Sequence, residues 1–153
     1  MLLSLNGPRL AWDRLLKLRN QLLTPPLMHF SPAYSAAFGR VAHRMRFEEQ
    51  PTPAEAVQQW HAVLEALRGQ ELVHLYELDE ELESIREPLS TLVLADELVL
   101  FPEHAQFVAE VEALDAAFVA LTMLWPIDAP TYTDFRWWVG RVPRYLLENG
   151  ATA

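Results

Sequence analysis

The sequence predicts an all-α protein, a compact multi-helix bundle of about six helices forming a single domain over residues 1–153. Three observations carry this. Apolar side chains recur at steps of three and four through most of the chain. Ser-Pro and Thr-Pro pairs stand where helices should begin. The composition, 51% hydrophobic and 22% charged, is that of a chain able to bury one core.

The first element is a helix over 8–23. Pro8 sits at its start, and Thr24-Pro25-Pro26 stops it. Trp12, Leu15, Leu16, Leu18, Leu22 and Leu23 fill one arc of this helix, with Arg9, Asp13, Arg14 and Lys17 opposite and Arg19 intruding. Such a basic amphipathic segment reads as a helix covering its own core rather than one lying on a membrane. Ser31-Pro32 opens a second helix over about 32–48, with Tyr34, Ala37, Phe38, Val41 and Met45 as its stripe. Thr52-Pro53-Ala54-Glu55 has the form of a capping box and starts a third helix, and Gly69 is placed to end it in a left-handed turn.

Residues 71–101 fit two periods. Leu75, Leu78, Leu82, Ile85 and Leu89 support a helix, while 92–94 and 98–101 around Ala95-Asp96-Glu97 leave a small β-hairpin within 91–101 as the alternative. Pro102-Glu103 begins the clearest stripe, Phe107, Val111, Leu114, Phe118, Leu121 and Trp125. Its second half is apolar all round, which predicts a central position until Pro126 ends it. The tail, 131–150, reads as one helix interrupted at Pro143.

Charge is unevenly spread. Residues 1–46 carry a balance of +6, residues 47–115 one of −15, and the remainder is neutral, for a total of −9. A negative field repels phosphates, so nucleic acid is not expected as a ligand. The longest uncharged apolar run, 116–127, falls well short of the roughly 20 residues a membrane helix needs. Met1–Leu5 lacks the basic flank of a signal peptide. The expectation is therefore a cytoplasmic protein with no membrane partner.

Catalytic and cofactor signatures are missing. There is no cysteine, and the five histidines, His29, His43, His61, His74 and His104, lack the i, i+4 pairing of a metal site. The glycines form no phosphate-binding loop, and no Gly-X-Ser-X-Gly elbow is present. Neither a metal nor another cofactor is expected. His74 and His104, near acids, are the one acid/base pair worth inspecting.

Two clusters remain. Glu77, Asp79, Glu80, Glu81, Glu83 and Glu87 place six acids within eleven residues. Trp125, Tyr132, Phe135, Trp137, Trp138 and Tyr145 lie near Arg136, Arg141 and Arg144. On a helix, adjacent Trp137 and Trp138 would point about 100° apart, leaving one exposed. Trp, Tyr and Arg anchor interfaces, and acidic surfaces speed association with basic ones. The expectation is a small acidic binding module that masks or regulates a basic protein, such as a toxin or effector, in the manner of a bacterial immunity protein or antitoxin. The six acids would steer, and Trp137 and Trp138 would supply contact. A small helical enzyme or ligand-binding domain, with a pocket among the C-terminal aromatics, and a self-assembling scaffold subunit are the alternatives.

Overall fold

The computed structural model describes residues 30–45, 51–124 and 137–148, of which 75% are helical, together with a two-stranded antiparallel sheet. The bundle predicted from helical spacing is therefore present. The helix predicted over 8–23 lies outside the described residues.

Helix α1, Pro32–Arg44, starts as its Ser-Pro pair dictates: the Ser31 hydroxyl accepts the Tyr34 N–H, with Pro32 at the first helical position. Ser31 is itself held from across the fold, donating its N–H and hydroxyl to the Glu103 carboxylate at 2.6 and 3.0 Å. The helix ends at Arg44, short of the expected 48, and residues 46–50 lie outside the described set.

Helix α2, Pro53–Arg68, is capped by Thr52, whose hydroxyl accepts the Glu55 N–H and donates to the Glu55 carboxylate, both at 3.2 Å. At its far end the left-handed residue is Gln70, at φ 52°, not Gly69, which stays at φ −78°. Gln70 N–H bonds the Leu67 carbonyl and Glu71 N–H the Ala66 carbonyl, so the closing motif sits one residue later than the glycine suggests.

Residues 75–94 form one nearly continuous helical rod: α3, Leu75–Glu81, then a π turn at Leu82–Arg86, then α4, Glu87–Leu94. Pro88 explains the widened turn. It has no N–H to offer the carbonyl four residues back, and its ring crowds that carbonyl. The Glu87 N–H reaches the Leu82 carbonyl, five residues back, and the rod passes the proline unbroken. A four-residue turn, α5, Asp96–Val99, follows. The helical reading of 71–101 thus holds, and there is no hairpin within 91–101.

Helix α6, His104–Leu121, packs along α2, with Phe107, Val111 and Phe118 buried. It is not buried all round, since Val119 is 41% exposed; alanine and valine there are small enough for an outer face. It stops at Leu121 because Thr122 turns extended. Strand β1, Thr122–Leu124, pairs antiparallel with β2, Arg141–Pro143, in the register Thr122 to Pro143 and Leu124 to Arg141. The predicted tail helix is corrected here. Among the described residues of the tail, 137–140 are a turn with Gly140 at φ 83°, 141–143 are strand, and only α7, Arg144–Glu148, is helical; 125–136 and 149–150, with Trp125, Tyr132 and Phe135, lie outside the described residues. Val139, Gly140, Val142 and Pro143 are poor helix formers, and the strand uses the β-branched ones.

One core runs through these elements, from Tyr34 and Phe38 through Trp60, Leu64 and Leu67 to Leu78, Leu82, Leu89, Phe107, Phe118 and Trp138. Because Gln70 carries a side chain in a conformation suited to glycine, Gln70→Gly should stabilise the fold by about 1 kcal/mol in urea unfolding. A loss instead would mean that the Gln70 side chain contributes more than its backbone costs.

Candidate functional site

The acid cluster is divided by the helix that bears it. Glu77 and Glu81 are buried at 2% and 1% exposure, Asp79, Glu80 and Glu83 are exposed, and Glu87 is half-buried. Glu77 is structural: its Oε1 accepts the Val73 and His74 N–H groups at 3.2 and 2.9 Å, capping α3. The neighbouring loop is pinned by Tyr145, whose hydroxyl accepts the Leu72 N–H and donates to the Leu72 carbonyl. Burial pushes that phenol up to about 12.

Glu81, at the head of the π turn, has both carboxylate oxygens buried and without a hydrogen-bond partner. Burial first, then the nearby Glu80 and Glu77, push its carboxyl up to about 9, so it is held neutral at pH 7.

The outward acids differ in kind. Tyr76, Asp79, Glu80 and Glu83 stand at i, i+3, i+4 and i+7 and share one face of the rod. Tyr76 is 52% exposed and Val73, just before the helix, 59%. The His74 ring stacks on Tyr76, with centroids 5.3 Å apart and planes 11° from parallel, which holds the phenol ring in place at the surface. The Asp79, Glu80 and Glu83 carboxylates make no hydrogen bond or ion pair with another described residue. Partial burial raises the Asp79 carboxyl above its ordinary range.

The aromatic candidates lie elsewhere. Trp138 is 2% exposed, inside the core, and Trp137 is half-buried against Phe118 and edge-on to Trp138. Their ring centroids lie 4.6 and 5.8 Å, respectively, from the Arg86 guanidinium carbon. Arg86 in turn is paired bidentately with Asp115, Nε and Nη2 each at 2.9 Å, and donates to Ser90 Oγ at 2.7 Å. Trp60 Nε1 donates to the same carboxylate at 3.0 Å. A turn, not a helix, carries Trp137 and Trp138, so the 100° divergence that would have exposed one of them does not arise. This arrangement removes Trp138 from any contact surface.

His104 and His74 do not act together. His104 is buried; its Nε2 donates to the Val93 carbonyl and its Nδ1 accepts the Tyr34 hydroxyl, both at 2.8 Å. Those bonds tie α1, α4 and α6 and use both ring nitrogens, while His74 lies exposed against Tyr76. A cavity of about 250 Å3 opens beside Arg86, Ser90, Asp115 and Trp137, and neither histidine lines it. Among the described residues no three His, Asp or Glu side chains come together as a metal would need, and no helix is long and apolar enough to cross a membrane.

Sequence reasoning placed the acids but missed Tyr76 and Val73. The signal was available, since Tyr76 falls outside the Leu75, Leu78, Leu82 stripe and on the side of the outward acids. No family model matches the chain, and no curated protein and no solved structure matches it.

The Glu81 geometry sets a pH dependence. The folded protein holds this proton more tightly than the unfolded chain, whose carboxyl has its ordinary value of 4.5. The contribution to stability is full below about pH 4.5, falls as pH rises, and is gone above about pH 9, with roughly 3 kcal/mol lost between 4.5 and 7. Glu81→Gln should therefore raise the denaturation midpoint at pH 8 and flatten its decline between pH 5 and 9. An unchanged slope would show that Glu81 ionises freely in the folded state.

Proposed function

We propose that this protein binds and masks a basic protein through the outer face of α3. Val73 and Tyr76 form the contact centre and Asp79, Glu80 and Glu83 the steering charge. The observation that carries this is Tyr76, half-exposed, with those three carboxylates sharing its helix face and pairing with no other described residue. A globular surface normally offsets such charge locally; an unoffset acidic patch accelerates encounter with a positive one. Tyrosine supplies large, stiff contact area and is frequent among residues that dominate binding energy. The composition gives no catalytic constellation to set against this, and the buried histidine is fully occupied by structural bonds.

The partner would be a basic effector or toxin, occluded as an immunity protein or antitoxin occludes its target, with both proteins in the cytoplasm. Glu77, Glu81 and Trp138 take no direct part, being buried. Glu87 and Trp137 line separate grooves, Glu87 with Val41 and Leu94 and Trp137 with Ser90 and Asp115.

Capture of a basic protein by the tagged chain at low salt, and its loss at high salt, is the expected result. With that partner in hand, Asp79→Lys/Glu80→Lys/Glu83→Lys should slow association at least tenfold, and Tyr76→Ala should speed dissociation by about ten- to thirtyfold. An association rate indifferent to the triple reversal and to ionic strength would overturn the assignment.

A further inference from the structure

The helical rod and α6 run antiparallel, since Arg86 pairs with Asp115 at one end and the Val93 carbonyl meets His104 at the other. Between them lies the cavity of about 250 Å3 that opens beside Trp137. It is smaller than the roughly 300 Å3 at which pockets for drug-sized molecules begin, so its occupant is small. From Arg86 to Leu94 the helical rise gives it a length of about 12 Å. Its two ends differ. Arg86, Ser90 and Asp115 make one end polar, with the Trp137 ring beside them, whereas Val93, Leu94 and Val108 make the other apolar. That is the layout of a site for a molecule with one polar head and a hydrocarbon tail.

The polar end keeps hydrogen-bonding capacity in reserve, although Arg86 and Ser90 are only 6% and 7% exposed. Bonds to Asp115 and Ser90 engage three of the five guanidinium N–H groups. Ser90 Oγ accepts from Arg86 and keeps its own proton to give. Asp115 Oδ1 receives both Arg86 Nε and Trp60 Nε1, while Oδ2 receives Arg86 Nη2 alone among the described residues. A head that accepts from Ser90 and Arg86 and donates to Asp115 Oδ2 completes the set. Charge decides what kind of head this is. Asp115 already neutralises the guanidinium, and Glu112, at the edge of the cavity, pairs with no other described residue, so the three charges leave a local balance of −1. A carboxylate or phosphate head would meet net repulsion, and an ammonium head cannot accept from the two donors.

We propose that this cavity binds a small aliphatic molecule with an uncharged head that both accepts and donates, as a primary amide or an alcohol does. The head lies among Arg86, Ser90 and Asp115 and the tail along Val93, Leu94 and Val108. The site shares no residue with the Tyr76 face, so its test is independent of any protein partner.

Hexanamide is the probe, titrated into the full-length protein while the Trp137 indole N–H and Val108 methyl resonances are followed. Both should shift with one common Kd of about 1 mM or tighter. Hexanoate and hexylamine, of the same length, should bind at least tenfold more weakly. Val108→Phe, which fills the apolar end, should abolish the Trp137 shift while the thermal unfolding midpoint is kept. Ser90→Ala, which removes one donor from the head, should weaken hexanamide by about fivefold. Resonances that stay unmoved at about ten times the expected Kd would overturn the proposal. So would hexanoate binding as well as hexanamide, a Trp137 shift that survives Val108→Phe, or an affinity indifferent to Ser90→Ala.

Discussion

The ion pair between Arg86 and Asp115 is the constraint on which the rest of the structure depends. It joins the π turn to α6, draws in Trp60 from α2 through Asp115, and sets the guanidinium against Trp137 and Trp138 ahead of β2. Burying two charges carries a desolvation cost that Coulomb attraction alone does not repay. Here the cost is offset by a bidentate geometry and by further bonds from Trp60 to the carboxylate and from the guanidinium to Ser90. Pro88 prepares the arrangement, because the wide turn just before it leaves Ile85 and Arg86 both buried.

The acid-rich stretch is divided by the helix that carries it. Inward carboxyls serve the fold: Glu77 caps α3, and Glu81 fits only as a neutral group. The outward carboxyls of Asp79, Glu80 and Glu83 pair with no other described residue, and it is these that the proposed recognition would use. A count of acids therefore overstates the negative surface, and the field around Tyr76 comes from three carboxylates rather than six.

Much of the fold was legible wherever a local rule decides the matter. Ser31-Pro32 and Thr52-Pro53 place the starts of α1 and α2, and the Leu75 to Leu89 periodicity identifies the rod. What was not legible rests on contacts distant in sequence. The tail becomes strand because Arg141 and Val142 find Leu124 and Met123, seventeen and nineteen residues away, and Arg141 donates to the Thr122 hydroxyl. Trp137 and Trp138 look like a contact surface only until Arg86 and Phe118 are known to cover them. The left-handed turn at Gln70 rather than Gly69 is a one-residue matter that propensity does not resolve. At the candidate site the six acids were visible but their division was not, because a cluster of carboxylates reads as a solvated face until Glu77 and Glu81 are seen to lie beside Leu78 and Leu82 on the buried side of the rod.

A double-mutant cycle at Arg86 and Asp115 tests the central claim most directly. Arg86→Met, Asp115→Leu and the combined variant would be compared by denaturant unfolding. Each single change should cost about 3–5 kcal/mol, because each leaves one buried charge alone, while the double variant should recover most of that loss. Losses that simply add would show that the two residues act independently and that the bundle is organised around something else.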